Sequence, residues 1–517
     1  MTPIPEPADV ERLRGIVARR FGLQFDDTRL GQLAEILEGR LRTLGETAAT
    51  YLSRFSSSAL APGESRALVG ELTVSETHFF RNIEQFESLA DVALPARMAA
   101  RGQSRQLRIL SAGCASGDEA YSIAMLVRNT PGLQGWDVSI RGLDLSLAVI
   151  ERARAARYTA WALRETPQEM QRRFFHPEGR EVVLDPEIRG MVTFDEANLH
   201  QEDAALWPSA ALDIVFCRNV LMYLTPGAAR GLVDRVSRSL VPGGYLYLGH
   251  AETLRGLSRA FHLLHTHETF YYQRREGNEP PQVAVGDPWR EEPPGPLLPS
   301  PGGDDSWVES IRRASERIHS LTRPCPSSPE DQAGPLPQSA SEGSKADLGP
   351  AVALLRSERY TEAQALVGRL PRESADDPDA LLLKAVLLTH RGQIAAAEDV
   401  CRDLLGRDEL NAGAHYLMAL CREGAHDLRS AAEHDQTAAY LDPAFSMPRL
   451  HLGLLARRAG DKDAARRELE RAVALLEYED PSRLLLFGGG FGRSALVALC
   501  AAEIAQCAAA SATREGP

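Results

Sequence analysis

The 517-residue chain has little of what marks secreted, metal-bound or membrane proteins. Its seven cysteines (Cys114, Cys217, Cys325, Cys401, Cys421, Cys500 and Cys507) are scattered, with no Cys-x-x-Cys pair and no histidine cluster beside them. Neither a disulfide framework nor a metal site is expected. Buried, reduced thiols in a cytoplasmic protein are. No window reaches about 18 consecutive apolar residues, so no membrane insertion is expected. The opening MTPIPEPADVERLRG lacks the apolar core of a signal peptide. Positive charge is also short: 58 Lys and Arg face 71 Asp and Glu, a net charge of −13. That argues against nucleic acid or an anionic membrane as a partner.

What is present falls into segments. Residues 1–95 read as an N-terminal helical domain, with Val10, Leu13, Ile16 and Val17 on one face and Leu30, Leu33, Ile36, Leu37 and Leu41 on another. Residues 96–275 alternate strand-like and helical patterns. Strands are expected at Leu107–Ala112, Val138–Leu143, Leu212–Cys217, Tyr245–Leu248 and Thr269–Gln273. Helices are expected at Asp118–Arg128, Leu147–Ala155 and Ala228–Leu240, and Pro242-Gly243-Gly244 reads as a turn. This alternation predicts an α/β doubly wound, mostly parallel sheet. Residues 276–345 read as a flexible linker: 13 of the 32 prolines fall between 276 and 340. Trp307, Ile311, Ala314, Ile318 and Leu321 would share one face of a short helix there, either docked or partner-binding. From 346 to 510 the chain repeats. Ala363, Ala397, Ala431 and Ala465 are 34 residues apart, Gly392 and Gly460 are separated by twice that, and Leu382, Tyr416 and Leu450 keep the register. A 34-residue period is the tetratricopeptide signature, so a helical solenoid is expected, closed by a helix over Leu484–Ile504 that is broken at Gly488-Gly489-Gly490.

The chemistry concentrates around LSAGCASGDEAYSIAM, Leu110 to Met125. A strand runs into a loop with Gly113 and Gly117, and a helix follows whose first turn carries Asp118 and Glu119. Strand, glycine loop and helix present backbone to a nucleotide-like ligand. Carboxylates at that helix start would repel a pyrophosphate and favour a cationic ligand such as S-adenosylmethionine. The glycine pattern is GxxxG rather than GxGxxG, which disfavours a nicotinamide enzyme. Asp144 ends the second strand, where a carboxylate accepts from ribose hydroxyls; capping the next helix is the alternative, with Ser146 also available. FCRNVLMYL leaves a buried strand as Arg218-Asn219, with Tyr223 about one helical turn on, either in the same cleft or in the core. Upstream, LTVSETHFFR carries Ser75, Thr77 and Arg81 among Phe79 and Phe80.

In order and spacing, LTVSETHFFR, LSAGCASGDEAYSIAM, RGLDLS, EANL at 196–199, FCRNVLMYL and VPGGYLYLGHAE resemble the CheR family of chemotaxis-receptor glutamate methyltransferases over about residues 8–275. The tail resembles the tetratricopeptide-bearing branch of that family. The resemblance implies a class I methyltransferase sheet. It also implies S-adenosyl-L-methionine as cofactor, S-adenosyl-L-homocysteine as product, and a methyl-accepting chemoreceptor or related signalling protein as partner. Cofactor contacts then fall on Thr77 and Arg81, on Ser75 where many members carry Asn, and on Gly113, Gly117 and Glu119. They continue on Asp144, Asn198 and Leu199 beside the adenine, and on Arg218 and Asn219. Arg81, Arg218 and Tyr223 are the expected catalytic set, with Tyr223 near the methyl group. No role in catalysis is assigned to His78 or His250.

Two departures bear on docking. The small β insertion, about 172–194, is shorter around Pro177-Glu178-Gly179 than in members that dock on a receptor tether, so tether-independent docking is expected. The helix LGQLAEILEGRLRTLG keeps Arg40 and Arg42 of a receptor-facing basic helix but adds Glu35 and Glu38. The competing expectation is a catalytically weak scaffold that binds the cofactor and acts through its repeats, whose own partner the sequence leaves open.

Overall fold

The computed structural model describes residues 5–57, 61–73, 76–276, 348–357 and 359–512. Ser75 and the expected helix around Trp307–Leu321 lie outside them. The chain divides into two compact units, Met1–Glu279 and Pro280–Pro517.

The first unit begins with four helices: α1 (Pro7–Phe21), α2 (Leu30–Leu44), α3 (Ala48–Ser56) and α4 (Pro62–Leu72). The apolar faces legible in the sequence meet in one core around Leu13, Val17, Leu33, Leu37, Leu41, Tyr51 and Leu52. α1 stops at Gly22, whose φ of +73° suits glycine and whose N–H returns to the Ala18 carbonyl. A Cβ at Gly22 would lie 2.8 Å from the Ala228 methyl, so this glycine also lets the end of α1 approach the following α/β region. α5 (Ile83–Ser88) continues through a π turn into α6 (Leu94–Arg101). Arg97 and Arg101 of α6 both reach the fully buried Asp213, tying the helix to the start of a central strand.

The α/β region follows as β1 (Gln106–Ala112), α7 (Asp118–Asn129), β2 (Asp137–Asp144) and α8 (Leu147–Ala155). Then come β3 (Arg157–Tyr158), α9 (Gln168–Phe174), β4 (Phe175–Glu178), β5 (Glu181–Leu184) and α10 (Pro186–Gly190). β6 (Val192–Glu196), β7 (Leu212–Cys217), α11 (Pro226–Ser239), β8 (Leu240–Leu248), β9 (Phe261–Thr266) and β10 (Thr269–Arg274) complete it. The main sheet has the order β6-β2-β1-β7-β8-β10-β9. β6 through β8 are parallel, and β10 and β9 run antiparallel. β3, β5 and β4 form a separate small antiparallel sheet. The chain leaves β1 in opposite directions, towards β2 and towards β7, so the carboxyl end of β1 is the topological switch point.

The sequence expectations omit β6 and β9, both at sheet edges, where one side of the strand is unpaired and the apolar pattern is short. Pro242-Gly243-Gly244 is a correction: it is no free turn but a bulge inside β8. Leu240 pairs with Leu212 and Tyr245 with Ile214, so extra β8 residues are absorbed at Gly243, φ +70°.

The second unit is built of helical hairpins: α12 (Gly349–Arg356) with α13 (Tyr360–Val367), the short α14 (Arg372–Ala375), α15 (Pro378–His390) with α16 (Ile394–Arg407), α17 (Ala412–Gly424) with α18 (Leu428–Leu441), and α19 (Ser446–Arg458) with α20 (Lys462–Tyr478). Ala363, Ala397, Ala431 and Ala465 are each fully buried, on the second helix of every hairpin. The hairpin turns explain the glycine register. Gly392 and Gly460 have φ of +67° and +85°, and the intermediate position holds His426 at φ +65°. A side chain there is strained by about 1–2 kcal/mol. His426→Gly should therefore raise the stability of this unit by about 0.5–1 kcal/mol after glycine's greater entropy loss, read as a shift in its urea midpoint. The sequence places a single interrupted helix after the repeats. Two separate ones are found, α21 (Pro481–Phe487) and α22 (Arg493–Ala512), and only α22 packs along α20 as a closing helix.

Candidate functional site

The carboxyl ends of β1, β2 and β7 open into a cleft with a cavity volume of about 120 Å³. After β1 the chain doubles back: Gly113 and Cys114 donate to the Leu143 carbonyl at 2.7 and 3.0 Å, and Ala115 N–H donates to Asp144 Oδ2 at 2.9 Å. Asp144 Oδ1 accepts from Ser146 N–H at 2.9 Å. Asp144 thus orders both the glycine loop and the start of α8 while lining the cleft. Burial raises its pKa, opposed by those backbone donors.

Gly113 has φ +80°, and a Cβ there would lie 2.4 Å from Val220 Cγ2. Its role is to admit the loop after β7. Gly113→Ala should lower affinity for the cofactor at least tenfold by pushing that loop out, at a strain cost of about 1–3 kcal/mol. Calorimetric titration would show it, with Val220→Ala restoring part of the loss; unchanged affinity in the single variant would count against this account.

Behind the glycine loop lies a charged network. Glu119 accepts from Ser111 Oγ at 2.7 Å, and its other oxygen is 3.4 Å from Arg218 Nη1. Arg218 Nη2 donates to the Arg81 carbonyl at 2.6 Å and to Asn82 Oδ1 at 2.7 Å. Burial raises the Glu119 pKa, with Arg218 the main opposing influence, and burial lowers that of Arg218 against the pull of Glu119. Arg218 Nε is buried without a partner among the described residues. Arg218 therefore pins the backbone at Arg81-Asn82, where Phe80 and Asn82 both hold positive φ. The side chain of Arg81 has no hydrogen-bond or ion-pair partner among the described residues, yet its charge acts on Glu119 and Arg218.

The loop carrying Asn219 and Tyr223 is held from two sides. Glu252 accepts from the backbone N–H of Asn219 at 2.7 Å, Gly249 at 2.8 Å and Met222 at 3.3 Å. On the other side, Gln24 N–H donates to the Tyr223 carbonyl and Thr225 N–H to the Gly22 carbonyl, both at 2.8 Å, around a bridge between Leu23 and Leu224. Asn198 Nδ2 donates to the Arg20 carbonyl at 2.9 Å. The segment after α1 is thereby a wall of the cleft, and Arg29 stacks over both Phe25 and Tyr223.

Of the residues expected from sequence, Gly113, Asp144, Asn198, Leu199, Asn219 and Tyr223 line this cleft. Glu119 and Arg218 form the adjoining network, joined by the Arg81 backbone. Gly117 is elsewhere: a Cβ on it would meet Ala153 and Phe194, so it serves helix packing. Thr77 borders a different depression, with Arg157, Tyr158 and Glu181. Sequence reading missed Phe21, Leu23, Phe25, Arg29 and His200 on the cleft wall, and Glu252 beneath the loop. The string FGLQF, glycine between aromatics just past a helix end, was the available signal for the first of these. Arg40, expected to face a receptor, instead pairs with Glu64 and Glu71, and Arg42 pairs with Glu38.

Residues 75–270 match the family described as CheR methyltransferase, SAM binding domain. Chemotaxis protein methyltransferase 2 of Vibrio cholerae is 34% identical over 232 residues, covering 44% of this chain and 78% of that protein. The chain belongs to the CheR methyltransferase family. Further similarity includes the chemotaxis protein methyltransferase of Escherichia coli, 31% identical over 260 residues, 50% of this chain and 88% of that protein. The probable biofilm formation methyltransferase WspC of Pseudomonas putida is 27% identical over 465 residues, covering 90% of this chain and 97% of its own. As a CheR family member, the protein is a methyltransferase that uses S-adenosylmethionine as its methyl donor. The cleft fits that group. It joins apolar walls from Phe21, Phe25 and Val149 to the carboxylate of Asp144, beside a network holding the orphaned Arg218 Nε and the uncommitted Arg81. Among the described residues no helix is long and apolar enough to cross a membrane, and no metal-binding cluster occurs.

Proposed function

We propose that the protein transfers the methyl group of S-adenosylmethionine to glutamate side chains of a chemoreceptor or related signalling protein. Residues 1–95 and 96–275 would act together as the catalytic part, 276–345 as a linker and 346–510 as a recruiting module, in the cytoplasm. The observation that carries the reading is Arg81: an uncommitted guanidinium on a backbone pinned by Arg218, whose charge acts on Glu119 and Arg218 next to the glycine loop. A guanidinium matches a carboxylate in charge and in fork geometry.

A glutamate with a pKa of about 4.3 is already ionised at neutral pH, so no general base is required. The cofactor supplies an electrophilic methyl group on a sulfonium. With the cofactor bound, a glutamate oxygen would take up that methyl group and the electron pair of the broken bond would stay on sulfur, so the chain would have no proton to move. What the chain contributes is alignment and exclusion of water. Arg81 orients the incoming carboxylate, Arg218 and Glu119 hold Arg81 in place and meet the methionine end, and Tyr223 lines the methyl path. Asp144, Asn198, Leu199 and Asn219 seat the adenosine, with Gly113 giving the loop its path and Ser75 the remaining expected contact; Gly117 serves helix packing and Thr77 borders another depression, so neither is assigned a contact. The two-residue turn of the β4–β5 hairpin, at Gly179-Arg180, and the internally paired Arg40 support docking that depends neither on a receptor tether nor on strong charge attraction.

The test is transfer of tritiated methyl from S-adenosylmethionine to purified receptor cytoplasmic fragments. Label that is released by mild base and removed by Glu→Gln changes in the receptor is expected. Tight cofactor binding with no transfer to any receptor fragment would favour a scaffold instead.

A further inference from the structure

The segment Pro481–Phe487 sits on the repeats in an unusual place. α15 packs against α17 one repeat further on as well as against its own hairpin partner α16, which sets the first helices of the hairpins on the inner arc of the stack. α21 lies on that inner row. It packs against α15, and the Phe487 ring meets Tyr416 of α17 and Phe445 edge to face, with centroids at 5.9 and 5.1 Å. Gly413 of α17 makes room for it: a Cβ there would be 2.8 Å from the Phe487 ring. Tyr416 Oη donates to the Phe487 carbonyl at 3.3 Å. One helical turn earlier, Arg483 donates to Asp442 at 2.7 Å and its guanidinium lies 4.5 Å over the Phe445 ring. Leu484 is buried on the same face.

Arg483 and Phe487 are thus spaced i, i+4 on one side of a helix, each in a fitted receptacle. Yet α21 is only seven residues long, far below the roughly 12–15 at which an isolated helix holds together. Its exit is Gly488-Gly489-Gly490, with φ of +63° and +83° at the last two. Beside it the groove continues as a pocket lined by Leu355, Tyr360, His390 and Phe491, with Arg356 and Arg493 at its edge. A segment that borrows its helix from the surface it rests on, ending in a glycine run, is built like a bound peptide rather than like a further repeat.

We propose that the inner face of the repeats is a recognition groove for a short helical segment of a partner protein, carrying a basic residue and, four residues later, a phenyl ring. The chain's own Pro481–Phe487 occupies this groove as an internal stand-in that the partner displaces. The groove supplies Asp442 for the cation, the Phe445–Tyr416 corner for the ring and the Tyr416 hydroxyl for the last carbonyl. This inference rests on the repeat unit alone and stands apart from the methyl-transfer reading.

The test uses the full chain and a fluorescent peptide with the sequence of residues 478–492. Phe487→Ala in the chain weakens the resident segment, so the variant should bind the peptide at least tenfold more tightly than the unmodified chain. A peptide carrying Arg483→Glu should lose that binding. Equal binding by both chains, or no binding by a variant that keeps its helical circular dichroism and melting profile, overturns the proposal. Should the variant fail to fold, hydrogen exchange of the unmodified chain decides. Amides of 481–487 should exchange at least tenfold faster than those of 412–424, by local opening with the hairpins intact. Exchange at the same slow rate in both would make α21 part of the core and overturn it.

Discussion

Replacing Arg218 by alanine should lower methyl transfer at least about a hundredfold, while Arg218→Lys recovers only part of the loss. Arg218 is 6% exposed and spends its guanidinium on three groups: Glu119, the Arg81 carbonyl and Asn82 Oδ1. Alanine leaves Glu119 buried without its cation and frees the Arg81–Asn82 backbone, which is held in a left-handed conformation at Asn82. Removing one partner of a buried ion pair costs about 3–5 kcal/mol, and each 1.36 kcal/mol lost at the transition state is about tenfold in rate. Lysine keeps the charge but cannot reproduce the fork that reaches two acceptors from one nitrogen plane. Turnover of the alanine variant, measured beside its melting curve, checks this. Near-normal turnover in a folded variant would remove Arg218 from the reaction.

His451→Ala should destabilise the repeat unit by about 3–5 kcal/mol, without direct effect on the cleft. His451 Nδ1 is 2.6 Å from Asp435 Oδ2, its Nε2 is 3.2 Å from Glu423 Oε2, and Glu423 also takes Arg458 at 2.5 Å. All three acidic and histidine side chains are essentially inaccessible to water. Burial pulls the imidazole pKa down, but Asp435 and Glu423 together outweigh it and hold it up at about 10. A group whose folded pKa is raised contributes its stabilisation fully below its unfolded value, about 6.5 for histidine, and loses it as pH rises through the folded value. Urea midpoints of the repeat unit should therefore decline between about pH 6.5 and 10. The alanine variant should lack the portion due to His451. A loss under about 1 kcal/mol on substitution would mean the two carboxylates find other partners.

Much of the architecture was legible because it follows from local period. The strand–glycine–helix at Leu110–Met125 and the 34-residue alanine register appear in the structure where the pattern put them. Those features depend on which face of an element is apolar and on which positions tolerate no side chain. The edge strands β6 and β9 and the bulge at Gly243 were not legible, because an edge strand is defined by the neighbour it acquires and a bulge by the register of its partner. The candidate site divided in the same way. Asp144 and Asn219 sit at strand ends and reach the cleft by topology alone. Gly117 looked equivalent to Gly113 in sequence, yet one packs a helix and the other admits a loop, since only the positions of Phe194 and Val220 separate the two cases.

The order of residues was enough to establish a doubly wound sheet, its switch-point loop, the acidic helix start and the repeat period, since each is a property of neighbours along the chain. Three matters were settled only by tertiary contact. The segment after α1 walls the cleft through pairing of Leu23 with Leu224, 201 positions along the chain. Arg218 turns inward onto Glu119 and the Arg81 backbone, while the Arg81 guanidinium itself has no partner among the described residues. And Pro481–Phe487, which continues the helical pattern in sequence, folds back onto the inner row of the repeats. Each depends on backbone groups, charges or rings brought together from distant parts of the chain, where burial and partner choice, rather than local pattern, decide which contact has the lower free energy.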